Sequence, residues 1–282
     1  MPTIILGDNL RVLRDLPDHH ASLIYIDPPF NTGHRQTRTR LKTVRDDDGD
    51  RTGWGGARYR SEALGTTGFD DAFGDDFLAF LAPRLVQARR VLTPTGSLFL
   101  HVDYREAHYC KVYLDQLFGR DAFINEIIWA YDFGGRSKRR WPAKHDTILW
   151  YARDPERYAF HHDAIDRIPY MAPGLVGPEK AARGKTPTDV WWQTIVGTSS
   201  RERTGYATQK PLALVERIVR VHSAPGDLCL DFFAGSGTLG EAAARNGRDF
   251  LLVDDNPDAV RVMAERLAAW SPEVRVLDVE AG

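Results

Sequence analysis

The sequence predicts an α/β protein built on a doubly wound, mostly parallel sheet. Its apolar runs have consecutive rather than alternating apolar residues, which favours strands that are covered on both faces. Segments with helical spacing separate these runs, and such alternation is typical of a sheet with helices on both sides. The 282 residues, 43% hydrophobic and 27% charged, fit one large soluble domain or one domain with a sizeable insertion.

Eight apolar runs are predicted to be strands of this sheet. In chain order they span residues 3–7, 22–27, 97–102, 123–131, 146–152, 228–233, 249–255 and 274–279. The second run ends in Asp27, and the seventh ends in Asp254 and Asp255. Ligands of such folds bind at the carboxyl edge of the sheet, so we expect the functional site there.

Helices are predicted between the strands from apolar spacing and from residues that favour helix ends. Residues 75–92 place large apolar side chains on one face. The segment 211–223 opens with proline, which is favoured in a first helical turn, and 238–247 closes with glycine, which is favoured after a last turn. The segment 256–270 opens with asparagine as a cap and proline after it.

Two segments do not fit the sheet. Residues 34–68 are polar and rich in Gly, Arg and Asp, and we expect a long loop. Residues 154–207 hold many prolines and glycines and form an irregular insertion, whose apolar focus is "VWWQ" at 190–193. The predicted division is a catalytic half at 1–153, a target-recognition insertion at 154–207 and a cofactor-binding half at 208–282.

Charge and composition narrow the possible classes. The net charge of −2 is mildly unfavourable for binding nucleic acid, but the runs 34–45 and 136–144 are dense in arginine and lysine. Two cysteines, Cys110 and Cys229, make neither a disulfide framework nor a zinc site, and no cluster has metal-ligand spacing. The chain shows no membrane-spanning run and no basic signal-peptide head, so we expect a cytoplasmic protein.

The run "DFFAGSGTLGEAA" from Asp231 to Ala243 predicts a ligand-binding turn. Its glycines allow close approach of the backbone, and the helix that begins near Thr238 presents free N–H groups. The spacing is not G-x-G-x-x-G, which argues against a dinucleotide. Asp254 follows at the end of the next strand, where an acid can accept hydrogen bonds from ribose hydroxyls. Together these features indicate a cofactor that contains a nucleoside.

The motifs "DPPF" at 27–30 and "FAGSGT" at 233–238 resemble the catalytic and S-adenosylmethionine-binding motifs of DNA exocyclic-amino methyltransferases. Because the catalytic motif comes first, the chain resembles the permuted β class. Its likeness is greatest to adenine-N6 enzymes of the type III modification kind, and covers roughly two-thirds of the chain. The resemblance implies a circularly permuted class I S-adenosylmethionine-dependent fold, double-stranded DNA as substrate and a flipped-out target base. A homodimer and a separately acting cognate restriction endonuclease are further expectations from this class.

The catalytic motif suits an amine that is a poor nucleophile. Its predicted catalytic residues are Asp27, Pro28, Pro29 and Phe30. The Asp27 side chain and the Pro28 carbonyl can each accept a hydrogen bond from the amine, and the prolines keep the backbone extended. Phe30 is predicted to stack on the target base, whose removal from the duplex costs a few kcal/mol. The alternative for Phe30 is a place in the core, which is the default for an aromatic residue near a strand end.

The resemblance also implies a set of residues that contact the cofactor. Lys210 would contact the methionine carboxylate, and Asp254 would contact the ribose. Asp8 lies in a turn that resembles one near the cofactor adenine, and capping the first helix is an equally good role for it. The full set is Asp8, Asp27, Lys210, Pro211, Asp231, Phe233, Ala234, Gly235, Ser236, Gly237, Thr238, Asp254 and Asn256.

DNA contacts are predicted in the basic segments. Arg35 and Arg38 follow the catalytic motif directly, and a second group lies at 136–140. We expect these side chains to contact phosphates on the basis of charge. The second group comprises Arg136, Lys138, Arg139 and Arg140.

Several other functions are weighed against this prediction. Cytosine-N4 methylation uses the same fold and mechanism, but those enzymes often carry serine in place of Asp27. Methyltransferases of RNA or of protein glutamine usually have the cofactor motif first and asparagine at that position. A cofactor-binding module or inactive subunit does not need an intact "DPPF". Cytosine-C5 methylation requires a cysteine beside a proline, and neither cysteine follows one.

Overall fold

The computed structural model describes residues 1–31, 36–46, 48, 51–52, 58–69 and 73–277. The strands of these regions are β1 (Thr3–Leu6), β2 (Ala21–Ile26), β3 (Gln36–Arg45), β4 (Arg51–Thr52), β5 (Arg58–Phe69), β6 (Leu92–Val102), β7 (Phe123–Ala130), β8 (His145–Ala152), β9 (Val190–Trp192), β10 (Leu228–Asp231), β11 (Asp249–Asp254) and β12 (Glu273–Val276). The helices are α1 (Asn9–Asp15), α2 (Phe77–Val91), α3 (Ala107–Phe118), α4 (Pro178–Arg183), α5 (Leu212–His222), α6 (Thr238–Arg245) and α7 (Pro257–Leu267).

A nine-stranded sheet forms the centre of the described chain, in the order β12-β1-β11-β10-β2-β6-β8-β7-β9. Neighbouring strands in it run parallel except for two pairs, β6–β8 and β7–β8, which are antiparallel. The prediction of a mostly parallel sheet is therefore confirmed.

Helices cover both faces of this sheet, as a doubly wound fold requires. Helices α1, α2 and α3 contribute to one buried cluster, and α5, α6 and α7 contribute to the other. Strand β2 supplies both clusters, since Ile24 and Ile26 belong to the first and Leu23 and Tyr25 to the second. Side chains alternate between the two faces along a strand, so a central strand has to be apolar throughout.

The prediction of a loop over 34–68 is wrong for the described strands of this segment. Strands β3 and β5 pair antiparallel from Gln36↔Phe69 to Arg45↔Tyr59, and β4 pairs with β5. The run "TRTRLKT" alternates threonine and leucine with arginine and lysine, a period-two pattern that favours a strand. Its polarity argued for a loop. However, β3, β5 and β4 form a sheet that is separate from the nine-stranded sheet, and such a sheet does not need the apolar strands of a buried one.

The insertion at 154–207 is tied to the main sheet by one short strand. Strand β9 pairs parallel with β7, with Ile128 opposite Val190 and Ala130 opposite Trp192. The predicted apolar focus therefore extends the sheet at its edge. Helix α4 is the other regular element here apart from single 3-10 turns.

The topology brings together the ends of two strands that are distant in sequence. Strands β2 and β10 are parallel neighbours, with Leu23 opposite Cys229 and Ile24 opposite Leu230. The residues that follow them, Asp27 and Phe232, therefore leave the sheet at the same edge. Among the described helices, none has the length and apolar character needed to cross a bilayer.

Candidate active site

A cavity of about 730 Å³ opens at the carboxyl ends of β2 and β10. Its wall combines the segment that follows β2, the glycine turn before α6 and the acidic end of β11. The cavity therefore lies where an α/β sheet is expected to bind ligands.

Asp27 has one carboxylate oxygen paired and the other without a partner. Its Oδ2 forms a salt bridge with the Lys210 ammonium group, and the side chains are 16% and 8% exposed. Its Oδ1 is buried and has no hydrogen-bond partner within the described residues. A buried acceptor without a partner costs free energy, and Asp27 lines the cavity, so a ligand donor that reached this oxygen would remove that cost.

Phe30 lies over two polar side chains. The Lys210 Nζ is 4.8 Å from the centre of its ring, and the His101 ring centre is 5.9 Å away. The phenyl ring is partly exposed and lines the cavity. It is thus supported from behind but accessible, unlike a core phenylalanine.

A buried hydrogen-bonded chain supports His101 beneath Phe30. The Tyr25 hydroxyl lies 2.7 Å from His101 Nδ1, and His101 Nε2 lies 3.2 Å from Asp146 Oδ2. The Tyr131 hydroxyl donates to the other Asp146 oxygen at 2.9 Å. Burial raises the pKa of Tyr25 well above its usual range, so its hydroxyl stays protonated. The Asp146 carboxylate can only accept, so His101 Nε2 donates to it, and Nδ1 shares a hydrogen bond with the Tyr25 hydroxyl. These bonds fix the tautomer and the orientation of the His101 ring.

The glycine turn has the backbone that the sequence predicts. Gly235 and Gly237 have φ values of 50° and 75°, in the left-handed region that glycine adopts most readily. The turn is held by Asp254, which accepts from the Gly235 N–H at 2.8 Å and from the Asn256 N–H at 3.0 Å. Burial raises the pKa of Asp254 to about 6.

A buried arginine connects the glycine turn to α7. Arg266, at 5% exposure, donates to Thr238 Oγ1 at 3.0 Å and to the Ser236 carbonyl at 3.1 Å, and it pairs with Glu241 at 2.5 Å. The Thr238 hydroxyl in turn donates to the Lys210 carbonyl at 3.3 Å. A continuous set of polar contacts therefore runs from the glycine turn through Lys210 to Asp27.

Aromatic rings form another part of the cavity wall. Phe80 stacks on Phe73 with ring centres 4.7 Å apart, and it lies 6.0 Å from Phe233. The Arg84 guanidinium is 3.8 Å from the Phe80 ring centre, and its Nε donates to Asn9 at 2.5 Å. This apolar surface suits the flat ring of a nucleoside.

Most of the predicted site residues line the cavity. Those that do are Asp27, Pro28, Pro29, Phe30, Lys210, Asp231, Phe233, Ala234, Gly235, Ser236, Thr238, Asp254 and Asn256. Three others are absent from the wall. Asp8 caps α1 by accepting from the Arg11 N–H at 2.8 Å, and Pro211 and Gly237 occupy the N-cap positions of α5 and α6.

Several wall residues were not predicted. Asn9 follows Asp8 and donates to the Phe232 carbonyl at 2.7 Å, so the turn reaches the cavity through its asparagine. The signal for Asn9 was present in "GDN", and several of the others adjoin predicted residues in sequence, whereas Phe73, Phe80 and Arg84 lie far from every predicted motif. The others are Tyr25, Phe73, Phe80, Arg84, Tyr206, Ala207, Thr208, Gln209, Phe232, Leu239, Asp255 and Pro257.

Four of the predicted DNA-contacting side chains are described, and they are located outside the cavity. Arg136, Lys138, Arg139 and Arg140 are exposed between β7 and β8. Arg136 pairs with Asp132 at 2.7 Å. Arg35 lies outside the described residues, and the side chain of Arg38 is not described.

Comparison with known proteins identifies the family. The model of the DNA methylase family matches residues 21–265, which is most of the chain and includes both motifs at the cavity. The chain belongs to the DNA methylase family. The described residues of this DNA methylase contain no group of three or more His, Cys, Asp or Glu side chains able to hold a metal ion.

Individual relatives span nearly the whole methylase. It is 28% identical over 279 residues to the DNA adenine methyltransferase YhdJ of Escherichia coli (strain K12), which covers 94% of this chain and 82% of YhdJ. Its fold resembles that of TTHA0409 from Thermus thermophilus, solved with S-adenosyl-L-methionine, at a TM-score of 0.61 and 23% identity over 100% of each chain. PvuII DNA methyltransferase, which is cytosine-N4-specific, gives a TM-score of 0.64 at 15% identity over 100% of this chain and 89% of its own.

Proposed function

We propose that this protein transfers the methyl group of S-adenosylmethionine to the exocyclic N6 of an adenine turned out of duplex DNA. The observation that carries the proposal is the buried Asp27 Oδ1, an acceptor without a partner beside an accessible aromatic ring. The likeness to YhdJ over nearly the whole chain supports adenine as the target.

The cavity fits S-adenosylmethionine in shape and in chemistry. Its volume of about 730 Å³ lies within the usual range for ligand sites, and it offers a glycine turn, an acid and an aromatic surface. Asp254 and Asn256 would contact the ribose, Phe80 and Phe233 the adenine, and Ser236 and Thr238 the methionine end. When bound, this cofactor supplies an electrophilic methyl group on a sulfonium centre.

The chain's own residues would prepare the target amine. Asp27 Oδ1 and the Pro28 carbonyl accept from the two N–H groups, which favours a pyramidal nitrogen with an available lone pair. Phe30 stacks on the base and fixes its plane, and His101 packs against the other side of the Phe30 ring. Lys210 keeps the Asp27 carboxylate oriented through Oδ2.

The substrate class is tested by transfer of a radioactive methyl group from labelled cofactor. We expect label on duplex DNA amplified in vitro, and none on RNA or on the protein itself. Label on RNA or protein but not on DNA would contradict the proposal. A homodimer and a separate cognate endonuclease stay predictions from the class, and size measurement in solution tests the first.

The affinity for S-adenosylmethionine is expected to fall as the pH is lowered through about 6. Burial raises the pKa of Asp254 to about 6, and the ionised form is the one that accepts hydrogen bonds on both oxygens. Below this pKa a proton occupies one oxygen, so affinity should decrease by up to about tenfold per pH unit.

Calorimetric titrations between about pH 5 and 7 measure this dependence. The Asp254→Asn variant should bind more weakly at the upper end of that range, and its affinity should not change with pH. A pH dependence that persists unchanged in the variant would show that another group titrates.

A further inference from the structure

Trp141 is almost completely exposed, at 94% of its surface. It lies in the segment 131–144, which connects β7 to β8. A large aromatic side chain in water forgoes the stabilisation that burial would give, and Trp141 is more exposed than Trp192 at 72% or Phe133 at 64%.

The segment leaves the sheet at the edge that carries the active site. Ala130 at the end of β7 pairs with His145 at the start of β8, and Thr147 pairs with Val102 at the end of β6. Strand β6 is parallel to β2, so Asp27 and the segment emerge at the same edge. The residue before Trp141, Arg140, contacts the Tyr104 hydroxyl at 3.3 Å just after β6.

Internal contacts brace this segment. The Lys144 ammonium group donates to the Phe133 carbonyl, to the Gly134 carbonyl at 2.8 Å and to the Gly135 carbonyl at 3.2 Å. The ion pair between Arg136 and Asp132 closes the same turn. The indole ring is therefore presented on an organised backbone, which lowers the entropy that binding would cost.

The neighbours of Trp141 indicate what it meets. Lys138, Arg139 and Arg140 precede it and are exposed. Phe133, at 64% exposure, is a second exposed aromatic residue of the same segment. The core of a surface for a protein partner is poor in charged residues, whereas three consecutive cations beside exposed aromatic rings match the phosphates and stacked bases of DNA.

We propose that Trp141 is the wedge that enters the base stack of DNA when the target base leaves the duplex. The cations contact phosphates, and the indole ring stacks on the bases that flank the gap, which keeps the target from returning. The inference rests on the proposed function, because a wedge is useful only to a protein that turns a base out.

The test uses the DNA motif that the wild-type protein methylates, read by sequencing of its product. Single-turnover methylation is measured on a matched duplex and on one with an abasic site opposite the target base. We expect Trp141→Ala to be slower by about 10- to 100-fold on the matched duplex, and Trp141→Phe to recover most of the rate. The abasic duplex should rescue Trp141→Ala to near the wild-type rate, because its target base is already unpaired.

Arg139→Ala is the matched comparison. A lost phosphate contact should weaken binding equally on both duplexes and reduce the salt dependence of affinity. Equal rates for Trp141→Ala and wild type on the matched duplex would overturn the wedge but leave the proposed function standing, as would an equal defect on both duplexes. Absence of any methylation by the wild type would overturn the proposed function and the wedge with it.

Discussion

Replacing Asp27 with asparagine is expected to lower the rate of methyl transfer by about 10²- to 10³-fold, the usual effect of losing one aligned partner in a transition state. In the wild type, Oδ2 is paired with Lys210, and Oδ1 is available for the target amine. Asparagine has one acceptor oxygen, which cannot serve both. If it faces Lys210, the amide group presents N–H to the amine and repels it.

Single-turnover rates and calorimetric cofactor titrations measure methyl transfer and cofactor binding separately for this variant. Cofactor affinity should stay within about threefold of the wild type, since the change falls on the base-binding part of the cavity. Asp115→Asn is a matched control, because Asp115 is also 16% exposed and pairs with a lysine, Lys111, at 2.7 Å. A fully active Asp27→Asn protein alongside an active control would refute the role given to Asp27.

Replacing Lys210 with methionine is expected to impair both cofactor binding and methyl transfer. Lys210 lines the cavity, and its ammonium group pairs with Asp27 and lies over the Phe30 ring. Loss of its predicted contact with the methionine carboxylate should weaken cofactor affinity by about tenfold, and loss of the pair with Asp27 should slow transfer by about 10²-fold. Leaving the Asp27 carboxylate unpaired should also reduce the free energy of unfolding by about 3 kcal/mol.

A double-mutant cycle shows whether Lys210 acts through Asp27. The losses in transfer rate from Asp27→Asn and Lys210→Met should be much less than additive when combined, because each removes the same pair. Lys111→Met, which breaks the Lys111–Asp115 pair, should lower thermal stability without changing cofactor affinity. Additive effects of the two site variants would contradict the coupling.

The parts of the site that sequence could predict are those that depend on strand ends. Asp27 and Asp231 end up together because β2 and β10 are parallel neighbours, and parallel strands present their carboxyl ends at one edge. The glycine turn and the Asn256 cap are local features, so their residues suffice to predict them.

The remaining parts depend on contacts between distant residues. Lys210 and Asp27 are 183 positions apart, and nothing near either residue indicates their salt bridge. The chain from Tyr25 through His101 to Asp146 joins three strands, and each of its members also reads as an ordinary core or edge residue. The strands β3 and β5 were missed because their polarity outweighed their alternation.

The identity of the methylated base directly tests whether the protein transfers methyl groups to adenine N6 in DNA. DNA amplified in vitro is treated with the protein and with cofactor that carries a deuterated methyl group, then digested to nucleosides and analysed by mass spectrometry. We expect labelled N6-methyladenine, whose yield falls sharply when Asp27→Asn replaces the wild type. Labelled N4-methylcytosine in its place would contradict adenine as the target, and the absence of any labelled nucleoside would contradict methyl transfer to DNA.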